Sequence, residues 1–478
     1  MFPRPSSRLR AENPVTTIGL LGADALVTLV GLGLLVVLGI APTSGELRRR
    51  AALAPLTGMA AVGVLGATVE PLHIGIGPVV LLLLASASIA AGFWRLQPGS
   101  SPHVPAWTRV DRTVVVGSVI ALGIVIATAI ASFRVKPLAE YDGWAMWAMK
   151  GRALAALGWA DPAVFTRNLF DGPHPEYPLV LPVLNAVGIR SAGSFEGRLV
   201  VLQALMIGLA GLLALFAIYR DRVRPAILLP LIVAIAAAPV FFVQLATAYA
   251  DVPLAIFVAS GTAAASRWLV DPRTAWLALA VLFFSAAVLT KNEGLLYTVA
   301  AFAGLLVVAR NRRLQVVAAA AVVGLAALPR RLHVRADSVG RGGGNGDYDL
   351  GKPLGSVGFD ASVARAGGAA RGLLRYVTDT GRVGIILPLA VALAVLAVVA
   401  GRRDLGGFVL VFVAVALAGL TWVYAISPLE LEGYLRLSAD RVTTGVVLGA
   451  AATLPLLVDS LAVSRRRDPK EPRESSSG

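Results

Sequence analysis

The densest stretch of chemistry-bearing residues is Glu140-Tyr141-Asp142-Gly143-Trp144, followed by Lys150 and Arg152. Two carboxylates flank a tyrosine, with Trp144 and Trp147 beside them. Tryptophan favours the water–lipid boundary because its ring is amphipathic. A carboxylate held there could take the proton from an attacking hydroxyl, and partial desolvation would raise its pKa toward a useful range. The plainer alternative is a solvated interfacial loop. A second cluster, Asp171-Gly-Pro-His174-Pro-Glu176-Tyr177-Pro178, contains three prolines that restrict it to extended and turn conformations. It would present His174, Glu176 and Tyr177 rigidly, either as a wall for a sugar or acceptor or as a stiff connection into the next helix.

Two further groups sit in very short turns between apolar runs: Asp251 in Tyr249-Ala250-Asp251, and Lys291-Asn292-Glu293. A charge at the bilayer centre costs roughly 2.5–3.5 kcal/mol on insertion scales. Such residues must therefore face water or the bundle interior. Lys291 could meet a phosphate as a point charge, or pair with Asp251 or Glu293. Arg330 and Arg331, at the end of another run, are also placed to meet a phosphate. In Leu435-Arg436-Leu437-Ser438-Ala439-Asp440-Arg441, Arg436 or Arg441 could hold a lipid phosphate, or snorkel to the interface.

Several chemistries are excluded. Gly342 to Gly346 is not followed by Lys-Ser or Lys-Thr, so it is no phosphate-binding P-loop. No strand–GxGxxG–helix unit exists for a dinucleotide. If the protein is an enzyme, its substrate must arrive already activated. The absence of cysteine removes disulfides, thiolate zinc sites and cysteine nucleophiles, and four scattered histidines do not suggest a transition-metal site.

The elements that must position these residues are membrane helices. The 478 residues are 57% hydrophobic and only 15% charged, against roughly 25% charged in soluble proteins, and mean hydropathy is +0.76. A bilayer core about 30 Å thick needs roughly 20 apolar residues per helix. The apolar runs are continuous rather than alternating, so they predict helices and not barrel strands. Candidate spans are 15–41, 51–69, 74–94, 113–133, 198–219, 225–246, 250–270, 275–290, 293–310, 314–329, 382–400, 407–426 and 441–462, about thirteen in all. The expected fold is thus an all-α polytopic bundle. Stretches 145–157 and 178–190 read as short interfacial helices, and 361–378 as an amphipathic helix.

The net charge of +15 does not indicate nucleic acid, because no basic face interleaved with aromatics exists. Arg48 to Arg50, Arg95 to Arg112, Arg220 to Arg224, Arg267 with Arg273, Arg310 to Arg313, Arg402-Arg403 and Arg465 to Arg467 fall on one side when spans are counted. By the positive-inside rule that side is cytoplasmic. Loops 134–197 and 330–381 and the turns bearing Asp251 and Lys291 then face outward. Arg4, Arg8 and Arg10 lie against that assignment, since thirteen spans put the N-terminus outside. The tail, 463–478, is charged and Ser-rich and is expected to be disordered.

Five local patterns together resemble the GT-C superfamily of glycosyltransferases, in the branch of dolichyl-phosphate-mannose mannosyltransferase-like membrane proteins. They are Glu140-Tyr-Asp142 with Trp144 and Lys150, His174-Pro-Glu-Tyr177-Pro178, Tyr249-Ala-Asp251-Val-Pro253, Leu289-Thr-Lys291-Asn-Glu293-Gly294, and Ser438-Ala-Asp440-Arg441. The resemblance spans roughly 113–460 and leaves the first three spans outside it. It implies a bundle whose outer loops form a cavity at the plasma membrane. It also implies inverting transfer of a sugar from a polyprenyl-phosphate donor to a hydroxyl on a glycan, lipid or protein acceptor. Asp142 matches the family's catalytic acid, with Glu140 the neighbouring candidate. Lys291 and Arg441 would contact the donor phosphate, and Lys150, His174, Tyr177, Asp251 and Glu293 would line the substrate site. No cofactor is assigned, although Asp142 and Asp251 could supply oxygen ligands to a divalent cation. A transporter or flippase for a lipid-linked or small polar solute is the competing reading.

Overall fold

The computed structural model describes residues 14–72, 74–99, 108–135, 138, 140–157, 177–336, 359–427 and 429–466. His174, the Gly-rich stretch 342–346 and the tail beyond 466 lie outside them. The described residues form helices and no strand, apart from an isolated bridge between Thr43 and Gln97.

The first group is α1 (Pro14–Val37), α2 (Ser44–Arg50), α3 (Ala54–Val69), α4 (Pro78–Arg95) and α5 (Arg109–Val135). Then come α6 (Met149–Leu157), α7 (Val180–Ala192), α8 (Gly197–Tyr219) and α9 (Pro225–Ala237). The central group is α10 (Asp251–Val270), α11 (Thr274–Val288), α12 (Glu293–Val308) and α13 (Arg313–Ala336). The last comprises α14 (Phe359–Thr378), α15 (Ile386–Val399), α16 (Arg403–Ile426), α17 (Leu431–Ala451) and α18 (Leu454–Arg466). Among the described residues, nine helical stretches of at least 18 residues are long and apolar enough to cross a membrane. Five shorter apolar helices accompany them: α7, α9, α11, α12 and α15. The chain is a helical membrane protein.

α10 is the hub. Its residues Asp251 to Trp268 are all buried, as expected for a helix apolar all round. It packs on α8, α11 and α17. Its small residues permit close approach: Gly261 faces the Phe284 ring, and the Thr262 hydroxyl donates to the Gly449 carbonyl of α17 at 2.9 Å. By contrast Val116, Ile120 and Ile124 on α5 are each more than half exposed. Their four-residue spacing makes an apolar stripe on the outer surface of the bundle.

The sequence reading needs several corrections. The run 225–246 is not one helix. α9 stops at Ala237 because Pro239 disfavours helix at the residue before it, and short turns at Pro239–Phe242 and Gln244–Ala246 follow. The expected interfacial helix at 178–190 is α7, and Val180 to Ile189 are all buried. It packs on α1, α3 and α6 because its sequence is apolar on every side. Run 51–69 belongs to a longer helical stretch, Ser44–Leu72. Pro55 is tolerated there in the first turn of α3, and Gly58 is needed because a Cβ would overlap the Val27 carbonyl. The helix carrying the last candidate span, α17, begins at Leu431 rather than 441, so Arg441 lies ten residues inside it. The tail starts as helix, α18 running to Arg466. The 361–378 amphipathic helix is present as α14. The first three spans pack into the bundle, α1 on α7 and α3 on α7, α11 and α13.

Arg330 lies within α13, and its Nη1 meets Glu70 Oε2 at 3.1 Å, both side chains 3% exposed. That pair ties α13 to the end of α3 and uses a guanidinium the sequence offered to a phosphate. Breaking a buried pair by removing one partner costs about 3–5 kcal/mol. Arg330→Met is therefore expected to lower thermal stability strongly. Glu70→Met with Arg330→Met should recover most of the loss. A double variant no more stable than Arg330→Met in detergent melts would remove the ion-pair account.

Candidate functional site

Two ends of the bundle differ in chemistry. At the end bearing Arg267 of α10, Asp221 Oδ2 meets Arg50 Nη2 at 2.6 Å, and its Oδ1 meets Arg267 Nη2 at 3.4 Å. The Trp276 ring lies 5.2 and 5.4 Å from those two guanidiniums. The basic clusters near residues 50, 220 and 270 thus converge. Asp251 begins the same helix. Sixteen residues of α-helix span about 24 Å, so the Asp251 cluster lies at the opposite end.

The chain reaches Asp251 through a strained turn. Ala248 has φ +56°, a left-handed conformation for a residue with a Cβ, which costs of order 1–2 kcal/mol. The Thr247 hydroxyl donates to the Gln244 carbonyl at 2.7 Å and accepts from the Tyr249 N–H at 3.3 Å. Pro253 falls in the first turn of α10, where its missing N–H costs nothing. Asp251 is thereby fixed with its side chain 1% exposed.

Cations from two other segments close on it. Lys291, in the turn between α11 and α12, places Nζ 2.8 Å from Asp251 Oδ1 and 2.9 Å from Glu293 Oε1. Burial alone would push the Lys291 ammonium down. The Asp251 and Glu293 carboxylates more than offset it and hold the group above the usual lysine range. Arg441, on α17, donates to Asp251 Oδ2 from Nη2 at 3.2 Å and Nε at 3.3 Å. Its Nη1 lies 2.7 Å from Asp142 Oδ2. Its guanidinium stacks 4.2 Å from the Tyr249 ring centre.

Asp142 opens a π-helical turn, Asp142–Ala148, closed where the Met149 N–H bonds to the Trp144 carbonyl. Such wider turns are rare and often occur at functional sites. A Cβ on Gly143 would overlap the Thr247 carbonyl, so only glycine lets the turn approach Tyr249 and Asp251 this closely. The Tyr249 phenol donates to Glu140 Oε2 at 3.4 Å. Burial and the Glu140 and Asp142 carboxylates, opposed by Arg441, push that phenol up to about 12. It therefore remains a proton donor.

Asp142, Asp251, Lys291, Glu293 and Arg441 form one network of ion pairs, and Glu140 adjoins it through the Tyr249 hydroxyl. Lys150 is fully buried on α6, its ammonium 5.5 and 5.4 Å from the Trp147 and Tyr177 ring centres. That is cation–π range. Tyr177 is thus one wall of the Lys150 pocket, while His174 lies outside the described residues. Sequence reasoning passed over Gln244 and gave Tyr249 no role. The Gln244 amide donates to Thr444 Oγ1 at 3.0 Å and the Asp440 carbonyl at 3.5 Å, holding α17 in register. Tyr249 was flagged only as a neighbour in Tyr-Ala-Asp, and nothing in its spacing announces a ring under Arg441. Among the described residues no group of three or more Asp, Glu or His side chains is arranged as a metal site.

Chemically, the cluster holds cations beside carboxylates at a helix-end boundary. Arg441 is shared between a nearly inaccessible acid, Asp251, and a partly exposed one, Asp142, whose side chain is 24% exposed. Comparisons with protein-family models, curated proteins and solved structures return no match for this chain.

Proposed function

We propose that the chain is an inverting membrane glycosyltransferase of GT-C type, taking a sugar from a polyprenyl-phosphate donor at the outer face of the plasma membrane. The observation that supports it is Arg441 bridging Asp142 and Asp251 with Lys291 alongside. The acceptor oxygen attacks the anomeric carbon as the bond from that carbon to the phosphate oxygen breaks. The electron pair leaves with the polyprenyl phosphate, and the acceptor's proton passes to Asp142. Arg441 and Lys291 are the cations available to offset charge growing on the phosphate. In this scheme the donor phosphate displaces Asp142 from Arg441. The carboxylate that becomes the base is released by the arrival of the donor. Glu293 holds Lys291 in place.

The topology of this reading takes the nine long stretches with α9, α11, α12 and α15 as thirteen spans, and α7 as a buried helix that does not cross. The four shorter helices have 13–16 residues, or roughly 20–24 Å, and cross with the help of flanking residues. Reporter fusions after residues 160 and 225 should give opposite sides, and matching signals would overturn this topology. The direct test of function is incubation of the purified protein with a panel of polyprenyl-phosphate sugars. Mass spectrometry should find a sugar transferred to an acceptor from membranes lacking the protein. No transfer across the panel, with folded protein, would end the proposal.

A second reading, a transporter or flippase, draws on the near-complete burial of the Asp251–Lys291 pair, since transporters place charge at helix ends inside the bundle. Solute or lipid movement in proteoliposomes without sugar transfer would favour it.

A further inference from the structure

At the end of the bundle remote from Asp142, the turn after α8, the end of α10, the start of α16 and α18 line a half-open cavity of about 600 Å³. Three arginines line it, Arg222, Arg402 and Arg403, together with Asp404 and Asp459. Four aliphatic side chains complete the wall, Leu269 and Leu405 among them. Arg222 Nε and Asp459 Oδ2 are 3.8 Å apart and largely neutralise each other. Arg402 and Arg403 face a single remaining carboxylate, Asp404, so the lining carries one net positive charge. Gly401, also in the lining, has φ +80°, a conformation that favours glycine, and Arg402 and Arg403 follow directly from this turn.

We infer that this cavity binds a phosphodiester group carried by a membrane phospholipid headgroup. One net positive charge matches the single negative charge of a phosphodiester, and guanidinium forks suit its paired oxygens. The aliphatic part of the wall suits the glycerol and first methylenes of a lipid; a free phosphate would need none of it. Basic pockets between membrane helices are a recurring form of lipid-headgroup site. The inference is independent of glycosyl transfer, because no residue of the Asp142 cluster takes part. The expected consequence is that a lipid bound here clamps α8, α10, α16 and α18 together.

The test uses the full-length protein, delipidated in detergent, with dioleoyl phosphatidylglycerol and inorganic phosphate as separate probes. Native mass spectrometry and thermal melts should show retained phosphatidylglycerol and a rise in melting temperature for the unmodified chain. Arg402→Ala with Arg403→Ala should weaken lipid binding at least about tenfold, the loss of one charge-assisted contact. Arg310→Ala removes a positive charge from another exposed turn, and it should bind as the parent does. Binding of phosphatidylglycerol alone identifies the lipid headgroup as occupant. Equal stabilisation by inorganic phosphate would assign the same site to a free anion and overturn the lipid assignment. No binding by either probe, or equal binding by the double variant and the parent, would overturn the site itself. Asp404→Asn gives the converse check: it leaves the arginines in place, removes the opposing charge, and should tighten lipid binding.

Discussion

Asp142→Asn is expected to lower sugar transfer by about 10²–10⁴, the usual range for losing a general base, while donor binding is kept or tightened. The two effects have one cause. On the proposed reading the Asp142 carboxylate would accept the acceptor's proton, and it also competes for Arg441, which it meets at 2.7 Å. Asparagine is nearly the same size but cannot take the proton and no longer draws Arg441 by charge. The guanidinium is then freer for the donor phosphate. A purely structural residue would behave differently, weakening binding and rate together. Stability should change little, because partly exposed pairs contribute roughly 0–1 kcal/mol. Glu140→Gln is the internal comparison. Glu140 accepts a long hydrogen bond from Tyr249, so its loss should slow transfer by at most about tenfold if it only positions that ring. Normal single-turnover rates in Asp142→Asn would remove the assignment of the base, and a larger loss in Glu140→Gln would move it there.

The sequence made some of this legible and hid the rest for identifiable reasons. Asp251 and Lys291 stand out because a charge flanked by apolar runs must be buried against a partner or face water, and each run is long enough to be recognised. Hydropathy reports the length of a run but not what faces it. It therefore showed neither that Arg441, 190 residues from Asp251, is its second partner, nor that α7 is wrapped by α1, α3 and α6. The break after Ala237 was signalled by Pro239, yet aliphatic residues on both sides masked it. The π-helical turn at Asp142 has no sequence signature beyond Gly143, whose need becomes evident only once the Thr247 carbonyl is seen against it. Arg330 looked like a free cation at a helix end. Its partner, Glu70, lies 260 residues away in a part of the chain that the five local patterns do not reach.

Arg441→Lys is expected to separate chemistry from architecture at the centre of the network. Arginine here reaches Asp142 with Nη1 and Asp251 with Nη2 and Nε, while its plane stacks on Tyr249. A lysine ammonium is a compact point charge and cannot span both carboxylates in that arrangement. Asp251 would keep Lys291 at 2.8 Å, so its buried charge stays compensated. The cost to stability should be about 1–3 kcal/mol, that of lost hydrogen bonds to charged groups. Transfer should fall further, by about 10²–10³, the cost of removing one preorganised donor from developing charge. Arg441→Met is harsher, since it deletes one of the two cations on a buried carboxylate, and should approach the 3–5 kcal/mol seen when a buried pair is broken. The two variants together discriminate. If both lose stability in proportion to activity, the network is a clamp that holds α10 to α17 and the chemistry lies elsewhere. If Arg441→Lys melts near the parent temperature yet transfers poorly, with a raised KM for the donor, the guanidinium acts on the phosphate. Stability data alone cannot distinguish a clamp from a catalytic cation. Only the bridging geometry separates them, and lysine preserves the charge while abolishing the bridge.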